Sequence, residues 1–294
     1  MTKRDFLLLA VALVLAIPAV SQEYGHNSDN ERMNCEDNRT HFGGRPSAYG
    51  EQALNSFPAS EAAKLTFKED RNSGIRVVGW DRNEYSVVAC KAATADSQAD
   101  AQAILSQIQV QRTGGALSIS GPENQRDRQW FVILLVKAPR TAALDLDVHN
   151  GPMSVSGMNG GGELHAQNGP ISLKDSSGNF TVETQNGPIS YSGRGGNVKL
   201  NAQNGPIQVD VAGEQWSGEL SGQAVNGPIE LLLPTKFSSG VQVENDNAPM
   251  SCDADLCHEN VRVDGHRLTL GGSNTVIRLS THHGPVTVQN RKKL

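Results

Sequence analysis

The sequence predicts an all-β protein whose body is a parallel β-solenoid built from two-strand rungs of about 18 residues. Three observations predict it. The tripeptide Asn-Gly-Pro recurs at Asn150, Asn168, Asn186, Asn204 and Asn226, with degenerate copies at Asn247-Ala248-Pro249 and His283-Gly284-Pro285. The steps between copies are 18, 18, 18, 22, 21 and 36 residues, the last being twice 18. Counted from each Asn, apolar residues hold a constant phase, at +3 and +5 and again near +12, +14 and +16; Ile171, Leu173, Phe180 and Val182 are one set. Alternation of this kind marks strands with one buried and one solvated face. The breaks between strands, such as Lys174-Asp175-Ser176-Ser177-Gly178-Asn179, are rich in residues that take φ > 0.

Within each corner the Pro has no N–H to donate, so it belongs at the first residue of a strand, where Ile or Met begins the buried alternation. An antiparallel meander accommodates the same unit. Only parallel stacking, however, brings equivalent residues of successive units about 4.8 Å apart. Stacked in this way, Asn150, Asn168, Asn186, Asn204, Asn226 and Asn247 form an amide ladder that serves the turn rather than a ligand. A hexapeptide β-helix needs an aliphatic residue every sixth position, which these phases do not supply. The seven steps to His283 correspond to a stack about 34 Å long. In the doubled step Gly265 replaces the Asn, while Leu268, Leu270, Ile277, Leu279 and Thr281 keep the apolar phase. The longer steps add residues around Glu214-Gln215-Trp216 and Pro234-Thr235-Lys236, expected as loops extruded from the rung.

The rest of the chain is read around this array, which occupies residues 141–290. Residues 1–21 carry the parts of a signal peptide: Lys3 and Arg4, the apolar run Phe6 to Ile17, and a small-residue site at Ala19-Val20-Ser21. Residues 22–60, polar and without a period, are expected to form a flexible leader. Residues 61–140 are expected to cap the stack, because open rungs leave unpaired strand edges. Strands are expected at Ile75–Trp80, Tyr85–Ala89, Leu117–Ser120 and Trp130–Val136. A helix is expected from Asp96 to Gln109, with Thr94 or Asp96 as N-cap and a stripe of Ala99, Ala103, Leu105 and Ile108. At the other end Val286 and Val288 are read as the last half rung, with Arg291, Lys292 and Lys293 discouraging further strand addition.

An exported chain favours disulfides over free thiols. Cys252 and Cys257 are close in sequence and are read as one pair, which leaves Cys35 with Cys90. No second ligand pair accompanies Cys252, Cys257 and His258, so no metal site is assigned. Asp and Glu outnumber Lys and Arg by 31 to 26, and no basic cluster interleaves with aromatics, which argues against a nucleic-acid partner. No second apolar run is long enough to span a bilayer, so no membrane insertion is expected after signal cleavage. The mature chain is expected to be periplasmic or extracellular.

Taken in order, Gly74-Ile-Arg-Val-Val-Gly-Trp-Asp-Arg82, the helix after Cys90, the strand ending at Ala138-Pro139 and the Asn-Gly-Pro rungs resemble the toastrack domains, a bacterial family of adhesin-like β-solenoids. The resemblance spans about residues 60–290 and implies a β-solenoid of uncharacterised function, linked in some members to envelope stress or envelope assembly. It carries over no catalytic or cofactor-binding residue.

Two functions remain. The first is a non-catalytic envelope scaffold or adhesin-like binding protein, whose partner is a protein or glycan surface. Its binding surface would lie on Gln185, Asn201, Gln203 and Trp216, within a flat polar face that also includes Ser172, Ser190, Gln208 and Thr181. Only 5% of the chain is aromatic, which favours protein over stacked sugars. The second is a polysaccharide lyase or hydrolase, which needs carboxylates converging on one face. Glu183 and Asp210 are its candidates, and no acidic pair is read at a shared phase on adjacent rungs. No cofactor is expected in either case.

Overall fold

Strict alternation of apolar and polar residues leaves the chain one economical arrangement, strands with their apolar sides turned together. The computed structural model describes residues 33–39, 41–246, 248–259, 261–264 and 266–291. The expected signal peptide, leader residues 22–32, Asn247, Gly265, Lys292 and Lys293 lie outside the described residues. The cap contains β1 (Ser47–Ala53), the short β2 (Phe57–Pro58), β3 (Lys64–Trp80), β4 (Glu84–Thr94), α1 (Gln98–Gln107), β5 (Gln109–Thr113), β6 (Ala116–Ser120) and β7 (Gln129–Pro139). Then come strand pairs: β8 (Ala143–Asn150) with β9 (Met153–Ser156), β10 (Gly162–Asn168) with β11 (Ile171–Lys174), and β12 (Asn179–Asn186) with β13 (Ile189–Gly193). They continue as β14 (Asn197–Asn204) with β15 (Ile207–Val211), and β16 (Leu220–Asn226) with β17 (Ile229–Leu233). Next are β18 (Gly240–Asn245), β19 (Met250–Cys252), α2 (Leu256–Glu259) and the hairpin β20 (Val261–Asp264) and β21 (Arg267–Leu270). Last in sequence are β22 (Thr275–His283) and β23 (Val286–Asn290).

The rungs stack in parallel, one layer per repeat. Ile171 is in register with Met153 and Ile189, and Ile189 with Ile207. All of these are buried. One face of the stack carries β8, β10, β12, β14 and β16; the other carries β9, β11, β13, β15 and β17. A single apolar core runs between them. The stack begins earlier than the repeats announce, because the two halves of β3 form its first layer: Leu65 pairs with Leu144 on one face and Ile75 with Met153 on the other.

Several expectations are corrected. Residues 22–60 are not wholly a leader: Ser47–Ala53 pairs antiparallel with β4, burying Ala48. The Gln52 side chain then donates to the Val110 carbonyl at 2.8 Å and accepts from its N–H at 3.2 Å, occupying the edge of β5. Helix α1 is capped by Ser97, whose Oγ accepts from the Asp100 N–H, and it buries Ala101, Ile104 and Leu105 rather than Ala99 and Ala103. Both insertions fold inward instead of being extruded, because each carries a large aromatic: Trp216 and Phe237 are buried.

The largest correction concerns layer order. The last strands in sequence, β22 and β23, do not end the stack; they pair with β16 and β17 below and with β18 and β19 above. Leu268 and Leu270 therefore do not continue the rung phase but lie on β21, antiparallel to β18. Among the described residues no helix is long and apolar enough to cross a membrane.

Candidate binding face

The Asn-Gly-Pro corners are built by close backbone contact. A Cβ on Gly187 would lie 2.2 Å from the Gly169 carbonyl oxygen, and one on Gly205 would lie 2.0 Å from that of Gly187. Glycine is required there because successive corners touch through their main chains. Each Gly N–H donates to the Asn carbonyl of the next layer, Gly187 to Asn204 at 3.0 Å for example. Beside them Asn168 donates to Asn150, Asn186 to Asn168, Asn204 to Asn186 and Asn226 to Asn204, at 2.8 to 3.0 Å. Asn72 of β3 extends this ladder below Asn150 at 3.2 Å, a rung member that the motif search did not reach. His283 stands in register above Asn226. These amides are consumed by one another, which is the architectural role.

The polar residues named from sequence divide between two faces. Thr181, Gln185, Asn201 and Gln203 belong to the face carrying β12 and β14; Ser172, Ser190 and Gln208 belong to the opposite one, on β11, β13 and β15. Gln185 and Gln203 are exposed, but Trp216 is only 5% exposed and cannot serve as a contact. Its ring packs edge-on against Tyr191 at 6.0 Å, and its Nε1 donates to the Gly196 carbonyl at 3.2 Å. Burial pushes the Tyr191 phenol well above its ordinary pKa.

On the first face the register places Lys68, Asp147, His165, Glu183, Asn201 and Gln223 in one column across six layers. Neighbours in it are tied together, with Nδ1 of His165 2.9 Å from Asp147 and Asn201 donating to Glu183 at 2.7 Å. The lower layers form an open depression of about 580 Å³ lined by Lys68, Asp147, His149, His165, Gln167 and Gln185. Above the column, His282 pairs with Asp246. The parallel column beside it contains Asp145 and Glu163 on adjacent layers. This acidic pair, missed in sequence, lies at a shared phase, five residues before Asn150 and Asn168. Lys64 and Lys68 each approach Asp145 to 3.0 Å. Burial alone would raise the Asp145 pKa, but hydrogen bonds and charge from the two lysines outweigh it and hold the carboxyl below its ordinary value. A general acid requires the opposite shift. Glu183 and Asp210 face opposite sides of the stack, and Asp210 is paired with Arg291 at 2.8 Å.

Cys35 is bonded to Cys90 and Cys252 to Cys257. The first pair ties the segment before β1 to the cap; the second closes a small loop beside α2. Among the described residues no group of three or more His, Cys, Asp or Glu is placed to hold a metal ion.

These features define the class: a largely parallel β-solenoid with a lateral polar face. No family model matches the chain, and no curated protein matches it. Three solved structures are similar over most of it. A candidate adhesin of Bacteroides fragilis is 13% identical, covering 85% of this chain and all of its own, with a TM-score of 0.38. A candidate cell adhesion protein of Clostridium sporogenes is 9% identical over 83% of this chain and all of its own, at 0.30. A candidate lipid-binding protein of Parabacteroides distasonis is 10% identical over 85% of this chain and 98% of its own, at 0.29.

Proposed function

We propose that this chain is an exported scaffold of the cell envelope that binds a polar partner surface, protein in preference to glycan, through the face carrying β12 and β14, and performs no catalysis. The observation that carries this reading is the column from Lys68 to Gln223, in which neighbours such as Asp147 and His165, or Glu183 and Asn201, hold one another in place. Side chains fixed before an encounter lose little entropy when a partner arrives, so a flat polar surface of this kind can bind broadly. Export is supported by the basic, apolar and small-residue order of residues 1–21 and by two disulfides.

The test compares capture from envelope extracts by the native chain, by a Gln185→Arg/Gln203→Arg variant and by a Ser172→Arg variant on the opposite face. The reading expects a partner retained by native and Ser172→Arg protein and lost by the double variant. Equal capture by all three would overturn the choice of face. Turnover of any envelope glycan, abolished by Glu163→Gln or Glu183→Gln, would overturn the non-catalytic role.

A further inference from the structure

The displaced layer order calls for a physical cause. β18 and β19 follow β16 and β17 directly in sequence and share their alternation, yet the slot above β16 and β17 is taken by β22 and β23. In the inward column that runs through Val182 and Leu200, the β16 position is Gly222, and the residue facing it from β22 is Leu279. The Cδ2 of Leu279 lies 2.7 Å from where a Cβ on Gly222 would sit, so this glycine is a socket filled by a leucine methyl. In β18 the same column carries Val243, one carbon shorter. Placed over Gly222 it would leave the socket part-empty, and such voids are costly.

The corners select the same order. Thr281 donates to the Gly227 carbonyl at 2.9 Å, and buried Asn245 donates to the Gly284 carbonyl at 2.8 Å. Each layer thus satisfies the corner carbonyl of the one beneath it. Arg291 completes the hold, its N–H donating to the Leu233 carbonyl at 2.7 Å while its side chain reaches Asp210.

We propose that the slot between β16/β17 and β18/β19 is a sequence-selective receptor for the strand pair Thr275–Asn290, and that a second copy of this chain fills it by reciprocal exchange. With the pair withdrawn, β16/β17 and β18/β19 both present open edges shaped for this one sequence. The connection from β21 to β22 is Gly271-Gly272-Ser273-Asn274, with Gly271 at φ +71°, a short glycine-rich hinge of the kind at which identical elements swap between protomers. The exchanged assembly keeps every ladder hydrogen bond and the Gly222–Leu279 fit, now between two chains.

Ser221 and Arg278 are exposed register partners across β16 and β22, which gives a direct test. Full-length Ser221→Cys and Arg278→Cys chains are mixed at high concentration, held briefly in mild denaturant, returned to buffer and oxidised with glutathione disulfide. A chain carrying both substitutions reports the geometry through its internal 221–278 disulfide. The proposal expects interchain 221–278 disulfides in excess of 221–221 and 278–278 links by peptide mass spectrometry, forming several-fold faster when Leu279→Ala empties the socket. An internal disulfide in the double variant with no interchain 221–278 link at any concentration would overturn the exchange. An unchanged rate in Leu279→Ala would overturn the socket.

Discussion

Replacing Asn186 by Ala removes the central member of the corner ladder. The wild-type side chain donates to Asn168 at 2.8 Å and accepts from Asn204 at 3.0 Å, so two hydrogen bonds are lost at once. Asn226 stands at the upper end, where it donates to Asn204 at 3.0 Å and meets His283 rather than another Asn above. A net hydrogen bond is worth about 1 kcal/mol, which sets Asn186→Ala at about 2 kcal/mol and Asn226→Ala at about 1 kcal/mol. Urea unfolding followed by far-ultraviolet circular dichroism measures the difference. With a slope of about 2 kcal/mol/M, Asn186→Ala shifts the midpoint by about 1 M and Asn226→Ala by about half as much. Equal shifts, or no shift in either, would refute the reasoning that each layer is fastened to the next through these amides.

Further outcomes follow from the same contacts. Trp216→Ala is expected to cost about 3–5 kcal/mol, because it empties a buried site against Tyr191, whereas exposed Gln185→Ala stays within about 0.5 kcal/mol; thermal melts distinguish the two. The Asp145 carboxyl, with its pKa lowered in the fold, contributes stability that is present above the ordinary value of 3.8 and lost as pH falls through its lower folded pKa. Asp145→Asn is therefore destabilising by up to about 1 kcal/mol at pH 7 and neutral near pH 2, read from unfolding curves at the two pH values. Removing the Cys35–Cys90 bond by a double Ala substitution opens a 55-residue separation and is expected to cost about 4 kcal/mol, seen as a lowered melting temperature.

The rungs were legible because parallel stacking writes one period into the sequence twice, as an apolar phase and as a corner motif. Ile171, Ile189 and Ile207 stand in register as that phase requires. The order of the last layers was not legible, since β18 and β22 carry the same alternation and the selecting feature is a single missing side chain at Gly222. The first layer was hidden for a related reason: β3 supplies both of its strands without an Asn-Gly-Pro between them. Trp216 was misjudged because an insertion's direction depends on what it can bury, and the space beside Tyr191 exists only after folding. The Asp145 and Glu163 pair was visible in phase, but Lys64 and Lys68 come from the cap, about 80 residues earlier for Asp145.

Pulsed electron paramagnetic resonance between spin labels at exposed Glu163 and Gln242 tests the layer arrangement most directly. The column passes from Glu163 through Thr181, Lys199, Ser221 and Arg278 to Gln242, five steps. At about 4.8 Å per step the separation is expected near 24 Å. A distance near 19 Å would mean that the layers follow chain order, and a broad distribution would mean that no regular stack forms.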